Sequence, residues 1–92
     1  YVLAFHDINP QKKIHVLIIP KGEYVDFDDF NSKASDKEVV EFSKAITHVA
    51  NLMGSKDKGY RTLTNIGNDG GQEVPHLHFH VFAGEKIGKM VN

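Results

Sequence analysis

In the run VPHLHFHVF, residues 74–82, imidazole and apolar side chains alternate without a break from His76 to Val81. On an extended strand successive side chains point to opposite faces. The run therefore predicts His76, His78 and His80 along one face and Leu77, Phe79 and Val81 along the other. The apolar face needs a hydrophobic core behind it, and the histidine face looks away from that core. A chain of 92 residues has room for one domain with one modest core.

The segments before this run supply that core. YVLAFHDINP reads as a short strand ending in a turn, with Asp7, Asn9 and Pro10 as breakers. KIHVLIIPK is a nearly continuous apolar and β-branched run closed by Pro20, which predicts a central strand covered on both faces. A loop from Gly22 to Asp29 follows. In SDKEVVEFSKAITHVANLMG, Ser35 and Glu38 have the spacing of a capping box. Val39, Phe42, Ile46, Val49, Ala50 and Met53 form one helical stripe, and Glu41, Lys44, His48 and Asn51 the polar face opposite. Gly54 is a plausible stop. GYRTLTNI then reads as a strand, GNDGGQ as a tight glycine-rich connection, and the tail GEKIGKMVN gives no clear element. The order predicts an α+β domain: an antiparallel sheet of about five strands with one long helix. It spans residues 1–92 as a single domain, and since the first residues already read as strand, a natural start upstream is expected.

Three uses of the histidine face are open on the residues alone. It is a solvated strand surface, a metal site, or a catalytic surface. Neutral imidazole is a good zinc ligand, but the outer pair of histidines stand roughly 13 Å apart at about 3.3 Å per residue. Imidazole is also a nucleophile near pH 7. Neighbouring imidazoles resist simultaneous protonation, which favours one free base beside one proton donor, as phosphoryl or nucleotidyl transfer requires. Backbone N–H groups in GNDGGQ can approach phosphate oxygens closely, although the loop lacks a P-loop lysine and Asp69 carries the wrong charge. A net charge of −1 removes the general argument for nucleic acid. There is no cysteine, which excludes disulfides, thiolate catalysis and cysteine-ligated zinc, and is compatible with the cytoplasm, the expected location. No membrane-length apolar run or signal peptide is visible, so no membrane partner is expected.

The blocks AFHDINPQ, HVLIIPK, NIGNDGGQ and HLHFHVF, in this order, resemble the histidine-triad family, and in particular its branch of small nucleotide-binding phosphoramidases. The likeness covers essentially the whole chain. It implies a histidine-triad fold, a homodimer joined through sheet and helix, and no cofactor or metal. It implies hydrolysis at the α-phosphate of a purine nucleoside 5′-phosphoramidate, an AMP or GMP conjugate, through a nucleotidyl-histidine intermediate. On this sequence it makes His78 the nucleophile and places His80 at the phosphate and leaving side. His76 orients its neighbours and His6 belongs to the proton relay. Asn65, Gln72, Glu73 and Val74 fall in the substrate-binding positions, with Gln72 beside the phosphate, and Ile8 lies where the base and ribose pack.

Two alternatives stay open beside this reading. One is a dinucleoside polyphosphate hydrolase or nucleotidyl transferase of the same family. The other is a non-catalytic nucleotide- or zinc-binding module. Without the resemblance, His6 reads as a turn residue and Asn65 as a strand-edge residue. His15 reads as a satisfied core or near-site histidine rather than a catalytic one, while His48, Lys21, Lys86 and Lys89 read as surface. Glu73 stands where some relatives carry a serine, and its carboxylate is expected to receive a cationic leaving group such as an amine. The tail lacks the tryptophan-proline ending of the animal relatives.

Overall fold

The computed structural model describes residues 2–90. Tyr1, assigned to the first strand on sequence, and Val91 and Asn92 of the tail lie outside the described residues. The chain runs β1 (Val2–His6), β2 (Ile14–Pro20), α1 (Phe27–Lys33), α2 (Asp36–Leu52), β3 (Arg61–Leu63) and β4 (Phe79–Ala83). Among the described residues the sheet has four strands rather than about five, in the order β1-β2-β4-β3, every neighbouring pair antiparallel. No helix among them is long and apolar enough to cross a membrane.

Helix α2 forms as its sequence predicts. The Ser35 hydroxyl accepts from the Glu38 N–H at 3.1 Å, and the Glu38 carboxylate accepts from the Ser35 N–H at 3.1 Å. This closes both ends of the capping box. All six residues of the apolar stripe, from Val39 to Met53, pack in or against the core. The helix stops at Met53, before Gly54, whose φ of 78° is open to glycine at little cost. The segment expected as loop contains α1 instead. At seven residues it is too short to show a helical period, but Asp26 caps it by accepting from the Asp29 N–H at 2.8 Å.

The register sorts the sheet into two faces. Ile14 pairs with Ala83, Val16 with Val81 and Ile18 with Phe79. All of these but Ala83, which is buried as well, meet Phe30, Phe42, Ala50 and Leu77 in one core. Edge-on ring contacts run through it, Phe30 to Phe42 at 5.2 Å and Phe42 to Phe79 at 5.6 Å between centroids. The other face carries Leu3 opposite Ile19, Phe5 opposite Leu17, Leu17 opposite His80, and His15 opposite Phe82. Strand β2 is central, but it is not covered on both faces: Leu17 and Ile19 are only half-buried. Both helices follow the core face, leaving the second face for the site.

Candidate active site

The histidine run is only partly strand. Phe79–Ala83 is laddered, whereas residues 74–78 approach it as irregular chain. The expected alternation nevertheless persists: Leu77 and Val81 are buried and Phe79 packs against the same core. Two bonds from outside the ladder hold the entry. The Leu77 N–H donates to the Tyr24 carbonyl at 2.8 Å, and the Thr64 hydroxyl donates to the His78 carbonyl at 2.7 Å. Thr64 lies just past β3, which ends at Leu63, short of the longer strand expected over GYRTLTNI. Tyr24 in turn is tied to α2 by its hydroxyl, which donates to the Glu38 carboxylate at 2.7 Å.

His78 Nδ1 lies 2.8 Å from the His76 carbonyl oxygen. A carbonyl only accepts, so Nδ1 carries a proton, and Nε2 is the ring nitrogen left to meet an incoming group. His80 lies beside it, with ring centroids 5.1 Å apart. His80 Nδ1 is 2.8 Å from His15 Nε2, and His15 Nδ1 accepts from the Gln11 backbone N–H at 3.1 Å. His15 is buried, 4% exposed, and its ring packs on Phe82 at 4.3 Å. The Asp7 carboxylate stands 3.6 Å from His15 Nε2.

Burial pulls the His15 pKa below its ordinary value, opposed by the nearby Asp7 charge. Burial also lowers that of His80, reinforced by its neighbours His78 and His15 and opposed by Asp7. Both imidazoles are thus held neutral near pH 7. His78 is left with Nε2 as the nitrogen not engaged by the His76 carbonyl, and the His80 ring stands alongside it.

The other expected site residues divide. His76 joins the cluster's entry, with Nε2 3.3 Å from the Pro20 carbonyl oxygen. Val74 and the three side chains Phe5, Leu17 and Ile19 line a shallow apolar hollow with His76 and His78. Glu73 is exposed in the connection leading to it. Asn65 is half-buried just past β3, and Ile8 is 92% exposed in the turn after β1.

Gln72 does not leave its amide free beside a phosphate. Its Nε2 donates to the Val25 and Val74 carbonyls at 2.6 and 3.0 Å, and its Oε1 accepts from the Gly67 N–H at 3.0 Å. It braces the glycine loop, in which Gly71 adopts a φ of 78°. His6 is not brought to the cluster. It pairs with Val16, two-sided alternation puts it on the face opposite His80, and it is exposed. His15, read on sequence as a satisfied core or near-site residue, stands beside His80, whereas His6, expected in the proton relay, does not. The signal for it was its parity with Leu17 and Ile19 in β2, which becomes useful only once the β2–β4 register is known. A larger hollow of about 670 Å³, lined by Ile14, Met53, Tyr60, Arg61 and Ile87 among others, includes none of the histidines. His48, Lys21, Lys86 and Lys89 are exposed, as expected.

Known proteins share both the sequence and the shape. The HIT domain family pattern matches residues 1–87. An uncharacterized HIT-like protein of Azospirillum brasilense is 53% identical over 91 residues, covering 99% of this chain and 75% of that protein. The purine nucleoside phosphoramidase of Escherichia coli K12 is 33% identical over 90 residues, covering 98% and 75%. Among solved structures, a HIT family hydrolase from Clostridium thermocellum superposes with a TM-score of 0.86 at 38% identity, covering 99% of this chain and 78% of that one. One from Legionella pneumophila superposes at 0.88 and 33% identity, covering 99% and 80%.

Proposed function

The chain belongs to the HIT domain family, and from that premise we propose that it hydrolyses purine nucleoside 5′-phosphoramidates to a nucleoside monophosphate and an amine. The observation that carries this reading is His78: its Nδ1–H is committed to the His76 carbonyl, which leaves Nε2 as an in-place nucleophile. Nε2 attacks the α-phosphorus. A bond from His78 nitrogen to phosphorus forms as the bond to the amine nitrogen breaks, and the amine leaves with one proton taken from solvent, which the attacking water of the second step gives back. Water then attacks the same phosphorus, releasing the monophosphate and returning the His78 lone pair. His80 donates toward a phosphoryl oxygen, where negative charge builds in both steps. The hollow between Phe5, Leu17, Ile19 and Val74 offers apolar surface for a flat base. The protein of E. coli named above carries this activity in its name.

Two finer points belong to the same proposal. Glu73, exposed beside the loop, receives the departing amine as its cation. A Glu73→Ser variant with an unchanged preference between charged and neutral leaving groups would remove that role. The assembly is a homodimer through sheet and helix, where Val40 and Leu52 on α2 are exposed apolar side chains for a second copy to cover; light scattering on the purified chain measures it.

The test is AMP release from adenosine 5′-phosphoramidate in EDTA, beside His78→Ala. Release by the native protein and none by the variant is the expected result. Equal release from both, or none from either, refutes the assignment. Faster cleavage of a dinucleoside polyphosphate than of the phosphoramidate would move the protein to the other enzymatic reading.

A further inference from the structure

By composition, the cluster behind His80 has the look of a metal centre. One carboxylate oxygen of Asp7, one ring nitrogen of His15 and one of His80 all lie within 4.8 Å of one another, and a carboxylate with two imidazoles is a common ligand set for zinc and iron. The hydrogen bonds point the other way. Gln11 N–H is a backbone amide and can only donate, and it donates to His15 Nδ1 at 3.1 Å. Neutral His15 therefore carries its proton on Nε2, which faces His80 Nδ1 at 2.8 Å. His80 Nδ1 is then an acceptor, and its own proton sits on Nε2.

We propose that the Gln11 backbone amide is a positioning group that sets the direction of every proton in this chain, fixing His15 and His80 as Nε2–H tautomers, making His80 a donor to substrate and closing the Asp7–His15–His80 cluster to divalent metals. A metal on His15 Nε2 needs the lone pair there, which moves the ring proton to Nδ1 and sets it head-on against the Gln11 N–H. Histidines that ligate metals have the reverse arrangement, their second nitrogen donating to an acceptor. The same obstacle opposes a doubly protonated His15. It also opposes turning His80 round: a proton on His80 Nδ1 would need a lone pair on His15 Nε2. The two imidazoles next to each other in the run thus end as opposite tautomers, Nδ1–H in His78 and Nε2–H in His80. One offers a lone pair and the other a proton donor.

This deepens the reading of the site as a histidine-nucleophile centre, but its test needs no turnover. Long-range ¹H–¹⁵N spectra of the native protein report each imidazole's tautomer directly. The expected result is Nε2–H for His15 and His80 and Nδ1–H for His78; a proton on Nδ1 of His15 or His80 overturns the proposal. Equimolar Zn²⁺ is then added. The His15 and His80 signals are expected to stay in place, and their loss or shift as ligands overturns it. Gln11→Pro removes the amide hydrogen while leaving all three candidate ligands. In a folded variant, zinc affinity read at His15 is expected to rise by about 10–100-fold, the usual effect of an outer-shell partner; no gain overturns the proposal. Since the first two readings are taken on the native chain, they decide the matter where the variant does not fold. Loss of AMP release with all tautomers as stated would refute the proposed reaction and leave this inference standing.

Discussion

Two buried or half-buried imidazoles with lowered pKa values make the fold sensitive to mild acid, and the size of that effect follows from linkage. His15 and His80 titrate in the unfolded chain near their ordinary value of 6.5, and below it in the folded one. As the pH falls through 6.5 the unfolded chain therefore takes up protons that the folded chain refuses, and stability falls. The contribution is complete above the unfolded value and is lost on the way down to the folded one. Between about pH 7.5 and about pH 5.5, each such histidine removes at most about 1.4 kcal/mol, or about 2.7 kcal/mol for the pair. Urea unfolding followed by far-UV circular dichroism measures it, the chain having no tryptophan. His15→Gln keeps a donor toward His80 but has no titration of its own, so the loss between the same two pH values should be smaller than in the native protein. Equal losses in the native protein and the variant, or a native stability that rises on acidification, would refute the account of a neutral, buried His15.

Three substitutions probe the scaffold around the histidines. In Gly70→Ala the new Cβ would stand 2.2 Å from the Ile66 carbonyl oxygen, so the loop must move; kcat/KM for AMP release should drop by about a hundredfold while the α2 helical signal is retained. Thr64→Val removes the hydroxyl that holds the His78 carbonyl at 2.7 Å; urea unfolding should show a loss of about 1 kcal/mol. Leu77→Ala hollows a core position that is 1% exposed, and should cost about 2–5 kcal/mol in the same assay.

How far each part was legible follows from how local its cause is. The seventeen residues of α2 carry their own period and their own cap, so helix, buried stripe and N-terminus could all be read from neighbours in sequence. The alternation at Leu77, Phe79 and Val81 was local in the same way. Helix α1 escaped because its signal was only Asp26 and Asp29, three residues apart in a stretch also rich in turn formers. Strand β3 was read too long because Thr64 and its neighbours look like strand residues, while Thr64 in fact spends its hydroxyl on the His78 carbonyl. His15 and His80 are 65 residues apart and meet only through the β2–β4 register, in which Leu17 faces His80 and His15 faces Phe82. Gln72 was read correctly as belonging to the loop, but its bonds to Val25 and Val74 depend on where the chain before α1 passes.

The same parity links the core to the chemistry. A one-residue slip of β4 against β2 would exchange the two faces, placing Phe79 and Val81 in the open and His78 and His80 in the core. Burial of Val81 opposite Val16 and of Phe79 opposite Ile18 opposes that slip. So do the Tyr24 carbonyl on the Leu77 N–H and the Thr64 hydroxyl on the His78 carbonyl, which grip the run just before the strand begins. Leu77 sits between these two grips, directly between His76 and His78 in sequence. Shortening it should therefore do more than lower stability. In Leu77→Ala, measured where urea unfolding shows the chain still folded, AMP release should fall well beyond the loss of folded fraction, because His78 loses its aim. Activity that tracks the folded fraction one to one would mean that Leu77 serves the core alone, and that the two hydrogen bonds suffice to hold the nucleophile.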